Sequence, residues 1–176
     1  KILKRMTLEE KVGQMTQITA TALANGVELT PAGDSILRTY KIGSVLNTLA
    51  DCAQTPEAFN NFIKEVNRIS LEETGIPTLY GLDHIHGTSY VLGGILFPQE
   101  INIAASFNRE HAYKMGAVTA YESRAANVPW TFSPTMDLGR NPEWPRMWES
   151  FGEDTYVNAE LSVAEMKGMQ GDDPNK

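Results

Sequence analysis

The segment YGLDHIHGTS, Tyr80 to Ser89, sets one carboxylate and two imidazoles, Asp83, His84 and His86, within four positions. Residues of these types at this spacing permit three chemistries. They are metal ligation, an acid/base pair, or a cradle in which one side chain faces a polar ligand while the others brace the turn. A second segment, MDLGRNPEWPRMWESFGED, carries Asp137, Arg140, Glu143, Arg146, Glu149, Glu153 and Asp154 among Trp144, Trp148 and Phe151. Charged groups beside aromatic faces suit sugars, whose hydroxyls accept and donate paired hydrogen bonds and whose C–H faces stack on rings.

The bland readings differ residue by residue. Asp83 alone is equally a turn carboxylate accepting backbone N–H bonds, and the lesser alternative for Arg146 is a structural ion pair with Glu149 or Asp137. A metal needs more donors than two histidines supply, and the lone Cys52 is remote, so no metal is expected. His86 is expected to hydrogen-bond loop backbone, His84 to pack or sit at a rim, and His111 to lie at the surface. Asp137 ends a strand, where a nucleophile is also at home.

The elements that must position these groups are read from periodicity and caps. Thr7 and Glu10 stand in capping-box spacing, and Leu8, Val12, Met15 and Ile18 repeat at helical intervals. ATALANGVELTPAG has no clear period and is expected as an excursion before a short helix near Ser35 to Tyr40. Thr55 and Pro56 open a helix that ends at Gly75, Asn108 opens another, and Asp154 opens a third that stops at Gly171. In the last helix Tyr156, Val163, Met166 and Met169 are expected to form the apolar stripe. Between these runs, GSVLNT, PTLYGLD and VPWTFSP read as strands. Such alternation implies parallel strands joined by crossover helices, in which ligands bind beyond the carboxyl ends of the strands. Asp83 and the second polar segment each follow such an end.

Bulk properties exclude whole classes of function. The 176 residues are 41% apolar and 21% charged, enough for one sizeable core. A formal charge of −7 with no basic stripe makes nucleic acid an unexpected partner. No apolar run reaches the roughly 20 residues needed to cross a bilayer. Lys1 to Arg5 lack the apolar core of a signal peptide, and the closing GDDPNK reads as a frayed or cut end. Without repeats or linkers, no internal domain boundary is expected.

Taken together, GIPTLYGLDHIHG, FPQEINIAASFN and WTFSPTMDLGRNPEWPRMWESFGED resemble, in order and spacing, the N-terminal domain of family-three glycoside hydrolases, with a β-glucosidase flavour. The resemblance runs from MTLEEKVGQMTQI to MKGMQG. It implies an α/β fold in which residues 1–176 form the N-terminal part of a (β/α)₈ TIM barrel, about the first three strands with their helices. A second, C-terminal α/β domain and the remainder of the barrel are the implied partners. The implied activity is retaining hydrolysis of terminal nonreducing β-D-glucosyl residues of oligosaccharides or glucosides, without a cofactor. A noncatalytic carbohydrate-binding fragment is the alternative.

Residue by residue, the motif D-x-x-H-G carries hydroxyl-gripping Asp onto Asp83, and W-x-R-x-x-E-S-F-G-E-D carries a substrate-binding Arg onto Arg146. Glu149 is then expected to orient Arg146, with Asp137 and His86 in supporting positions. Where the family commonly has Gly before the Arg, this chain has Pro145, which fixes a backbone angle. The family's Lys-His pair and its nucleophile and acid/base segments have no match before Lys176, so no catalytic residue is assigned and the chain alone is expected to be inactive. Periplasmic or extracellular placement is favoured by the resemblance.

Overall fold

The computed structural model describes residues 2–171, so the expected loose end beyond Gly171 lies outside the described residues. The chain falls into two compact units. One runs to Leu82 and takes in Ala126–Trp130; the other comprises Asp83–Ala125 and the chain from Thr131 onward.

In the first unit, helix α1 (Leu8–Gln14) begins at the expected capping box. The Glu10 amide donates to Thr7 Oγ1 at 3.2 Å and the Thr7 amide donates to Glu10 Oε2 at 2.9 Å. It ends earlier than its apolar period implies. Gln17–Thr19 forms strand β1, in parallel register with β4 (Ser44–Leu46), Ile18 opposite Val45. Ile18 and Thr19 are β-branched and fit a pleated surface, and pairing to β4 overrides the helical interval. Leu8, Val12 and Met15, expected to be a buried face, are instead exposed.

The patternless excursion contains a hairpin, β2 (Ala24–Asn25) and β3 (Glu28–Leu29), turned across Gly26 and Val27. Gly26, at φ +64°, takes the first central position that such a two-residue turn reserves for glycine, a local signal that outweighs the lack of period. Helix α2 (Pro31–Tyr40) starts a turn before its expected position, because Thr30 Oγ1 accepts the Gly33 amide at 2.9 Å and Pro31 fits the first helical position.

Helix α3 (Pro56–Thr74) is capped by Thr55 and closed by Gly75 in a left-handed conformation, as its sequence implies. Phe59, Phe62, Ile63, Val66 and Ile69 are buried along it. The rings of Phe59 and Phe62 meet Tyr80 edge-on at 6.1 and 6.2 Å, and the Tyr80 hydroxyl donates to the Asn47 carbonyl at 2.6 Å. Tyr80 lies on β5 (Leu79–Leu82), which pairs in parallel with β4. With β6 (Trp130–Thr131) the sheet order is β1-β4-β5-β6. Among the described residues the sheet thus holds the three strands read from the sequence together with β1. Parallel strands alternating with crossover helices are the arrangement of part of a (β/α)₈ barrel.

The second unit is helical around a core of Ile103, Ala104, Ala112, Met115, Phe151 and Leu161. Its helices are α4 (Glu100–Ala104), α5 (Arg109–Ala125) and α6 (Thr155–Gln170). Asn108 Oδ1 accepts the Glu110 amide at the head of α5, and Asp154 Oδ1 accepts the Tyr156 and Val157 amides, both at 2.9 Å, at the head of α6. The expected apolar stripe of α6 is not the one that packs. Tyr156, Val163 and Met166 are exposed, whereas Asn158, Leu161, Ser162, Glu165 and Gly168 are buried. Close approach selects this face: a Cβ on Gly168 would stand 2.1 Å from the Tyr113 carbonyl oxygen, and one on Gly116 would stand 2.2 Å from that of Glu165. Two helices this near admit small residues at the contact, whatever the apolar count of the opposite face.

Candidate functional site

Asp83 follows the carboxyl end of β5 and is partly buried. The chain after it is a tightly tied loop. The Phe97 amide donates to the His86 carbonyl at 2.8 Å, and His86 Nδ1 donates in return to the Phe97 carbonyl at 2.7 Å, which fixes the proton on that nitrogen. Gly87, at φ +107°, bridges Leu96; a Cβ there would sit 2.1 Å from the Ile95 carbonyl oxygen, so backbone approach and dihedral both require glycine.

His84 is fully buried. Its Nδ1 lies 2.6 Å from Ser123 Oγ on α5, its ring stacks on Tyr90 at 6.1 Å, and its carbonyl accepts the Ser133 hydroxyl at 2.9 Å. Burial pushes the imidazole down to about 4, so it is neutral at physiological pH. The two histidines thus face different partners. Among the described residues no group of three or more His, Cys, Asp or Glu is placed to hold a metal ion.

The second polar segment is tied at its base by a parallel bridge between Thr135 and Ser150. The Asn158 side-chain amide donates to the Asp137 carbonyl at 2.8 Å, and the Gly139 amide donates to the Gly152 carbonyl at 3.1 Å. Phe151 is 2% exposed and belongs to the core, so it anchors the loop and is not available for a sugar face. Trp148 is 49% exposed.

From this frame Arg146 projects with its side chain 53% exposed, and its guanidinium meets Glu149 Oε2 through Nε at 2.8 Å and Nη2 at 2.5 Å. Glu149 is much less exposed, at 14%, so the pair reaches solvent through the arginine. Glu149, burial, Asp83 and Asp137 all act on Arg146; the net effect holds its guanidinium above its ordinary range. The Asp137 side chain is itself exposed.

Asp83 and Arg146, about sixty positions apart along the chain, share one electrostatic neighbourhood. Burial raises the Asp83 carboxyl above its usual range, the Arg146 charge opposes that rise, and Glu149 adds to it. Tyr90 lies in the same field: burial, Asp83 and Glu149 raise its phenol while Arg146 lowers it. The arrangement is a partly desolvated carboxylate in the field of a propped guanidinium.

Three residues of this unit do not stand out in sequence. Tyr90 sits in the same loop as Asp83, and that adjacency is its one signal. Glu100 and Glu165 are both fully buried with no hydrogen-bond partner on either carboxyl oxygen among the described residues. Burial raises Glu100 to about 8 and Glu165 to about 9, each carboxyl therefore holding its proton at neutral pH. Glu100 carries a signal in hindsight, being the one acid in the apolar run of FPQEINIAAS.

Residues 7–174 match the family described as Glycosyl hydrolase family 3 N terminal domain. A lysosomal beta glucosidase of Dictyostelium discoideum is 34% identical over 97% of this chain and 22% of its own length. A periplasmic beta-glucosidase of Salmonella typhimurium is 31% identical over 98% of this chain and 20% of its own. The chain thus spans about a fifth of the length of the curated relatives it matches. Among solved structures, an exo-1,3/1,4-beta-glucanase from a Pseudoalteromonas species superposes with a TM-score of 0.84 at 30% identity, covering 97% of this chain and 21% of that one. A beta-glucosidase of Listeria innocua, in complex with isofagomine, superposes at 0.75 with 32% identity over 97% of this chain and 22% of its own. The Listeria enzyme has also been solved with glucose, and a mutant of it with laminaribiose. With nearly its whole length matched and its parallel strands superposed on those enzymes, this chain belongs to glycoside hydrolase family 3, as part of its N-terminal domain.

Proposed function

We propose that residues 1–176 are the sugar-binding N-terminal part of a retaining exo-β-glycosidase, a β-glucosidase that hydrolyses terminal nonreducing β-D-glucosyl residues of oligosaccharides. Asp83 accepts hydrogen bonds from ring hydroxyls, and Arg146, aimed by Glu149, donates to a neighbouring hydroxyl. His86 braces the turn that carries Asp83, and Asp137 adds to the field at Arg146. The observation that carries this reading is the shared field of Asp83, Arg146 and Glu149 in a chain of this family. Glucose and laminaribiose, held by the Listeria enzyme and its mutant, are the ligand chemistry such a pair suits.

A charge-assisted hydrogen bond contributes about 1.5–3 kcal/mol, so two such groups orient one sugar residue. The chemistry needs two carboxyl groups about 5 to 5.5 Å apart across the scissile bond. In this reading the rest of the barrel and a C-terminal α/β domain supply them, since the relatives are about five times as long as this chain. Residues 1–176 then form one part of a single barrel domain. Periplasmic or extracellular placement follows the Salmonella relative. No helix among the described residues is long and apolar enough to cross a membrane.

The test is Asp83→Asn in the full-length enzyme, assayed on nitrophenyl β-glucoside. A loss of kcat/KM of about a hundredfold or more is expected, from one charged bond weakened together with its neighbours. Kinetics equal to the parent's remove Asp83 from the site. Turnover by the 176-residue chain alone overturns the assignment of the reacting carboxylates to other sequence.

A further inference from the structure

We propose that Tyr90 contacts the bound sugar beside Asp83, held in that place by the buried ring of His84. The inference rests on the sugar-binding reading of Asp83 and Arg146 and adds a residue to it.

Four observations converge. The Tyr90 ring is stacked on His84 at 6.1 Å between centroids and 26° between planes. His84 is immobile, being fully buried and bonded through Nδ1 to Ser123 of α5 and through its carbonyl to Ser133. The turn that carries Tyr90 is pinned on both sides: the Val91 amide donates to the Thr88 carbonyl at 3.1 Å, and the buried Thr88 hydroxyl donates to the Thr119 carbonyl at 3.3 Å. The ring is only partly buried, and among the described residues nothing hydrogen-bonds its hydroxyl.

A partly exposed phenol stacked on a buried ring is a low-entropy contact for a sugar. It brings a flat apolar surface and one donor/acceptor, and it loses little rotamer freedom on binding because stacking has already fixed the ring. The charges that act on it are Asp83, Glu149 and Arg146; Asp83 and Arg146 are the groups proposed to hold the same sugar. His84, neutral and facing inward, acts through Tyr90 as a positioning residue and does not touch substrate.

The experiment is Tyr90→Phe in the full-length enzyme. KM for nitrophenyl β-glucoside and the inhibition constant of free glucose are measured together with kcat and the thermal midpoint. Loss of one neutral hydrogen bond to the sugar raises both KM and the glucose constant about five- to tenfold, with kcat within about twofold and the midpoint unmoved. KM and glucose inhibition at parental values overturn the proposal, and so does a fall in midpoint without a change in either constant, which assigns the ring to packing. Asp83→Asn run in parallel separates the two levels: if it is inactive while Tyr90→Phe behaves as parent, this inference alone fails. If Asp83→Asn is itself unaffected, the sugar-binding reading fails and takes the role of Tyr90 with it.

Discussion

The second unit takes carboxyl groups out of water in two places, with different outcomes. At Glu100 and Glu165 no cation shares the burial, all four oxygens lack partners among the described residues, and both groups are held neutral. At Asp83 and Glu149 the guanidinium of Arg146 shares the site, bonded to one carboxylate and felt by the other, and the carboxyls stay partly open to solvent. Burial without a counter-charge silences a carboxyl; beside the guanidinium of Arg146 the opposite charge works against that effect at Asp83. A hydroxyl-binding site needs the second condition, and a helix interface tolerates the first.

The comparison breaks most sharply at Arg146. Arg146→Ala in the full-length enzyme should lower kcat/KM about a hundredfold or more, by loss of its own bond to the substrate and by leaving Glu149 unpaired near Asp83. Glucoside kinetics check this, and a change under about threefold would place Arg146 outside the site.

Glu165→Gln tests the other half. The native carboxyl keeps its proton to about pH 9, whereas in the unfolded chain it loses it near pH 4.3. The contribution of Glu165 to stability is therefore complete below about pH 4.3 and drains as pH rises toward 9. Glu165→Gln, neutral throughout, should match the parent at pH 4 and exceed it at pH 8, by on the order of 1–3 kcal/mol. Thermal midpoints of the full-length protein at the two pH values decide it; an equal offset at both would show that Glu165 is not held protonated.

Glu149→Gln is the mildest change. It keeps a hydrogen bond to Arg146 while removing the charge, so kcat/KM should fall about five- to tenfold through KM, with the midpoint little altered. An effect on kcat alone would argue against an aiming role.

Much of the fold was legible because its signals are local. Thr7, Thr55 and Asp154 cap helices with their own side chains and Gly75 closes one in a left-handed conformation, so a few adjacent residues carry the information. Strand β1 was not legible: Ile18 continues a helical interval, and its pairing with Val45 depends on a segment more than twenty residues away. The packed face of α6 was hidden for a related reason. Small and polar Ser162, Glu165 and Gly168 are buried because α5 comes close, and apolar counting along α6 points to the other side.

For the candidate site the division is similar. The residue types of Asp83 and Arg146, their strand-end and loop positions and the family they resemble are properties of the chain. The removal of Phe151 into the core, the neutral state of His84 and the stack that fixes Tyr90 are not.

What the sequence determined by itself was where α1, α3, α5 and α6 begin, the alternation of parallel strands with helices, and the family. Those depend on covalent neighbours and short-range hydrogen bonds. The tertiary structure alone decided which charges share a field, which acids lose theirs, and which ring packs on His84, because solvation, packing and Coulomb interaction depend on distance through space, and separation along the chain does not set that distance.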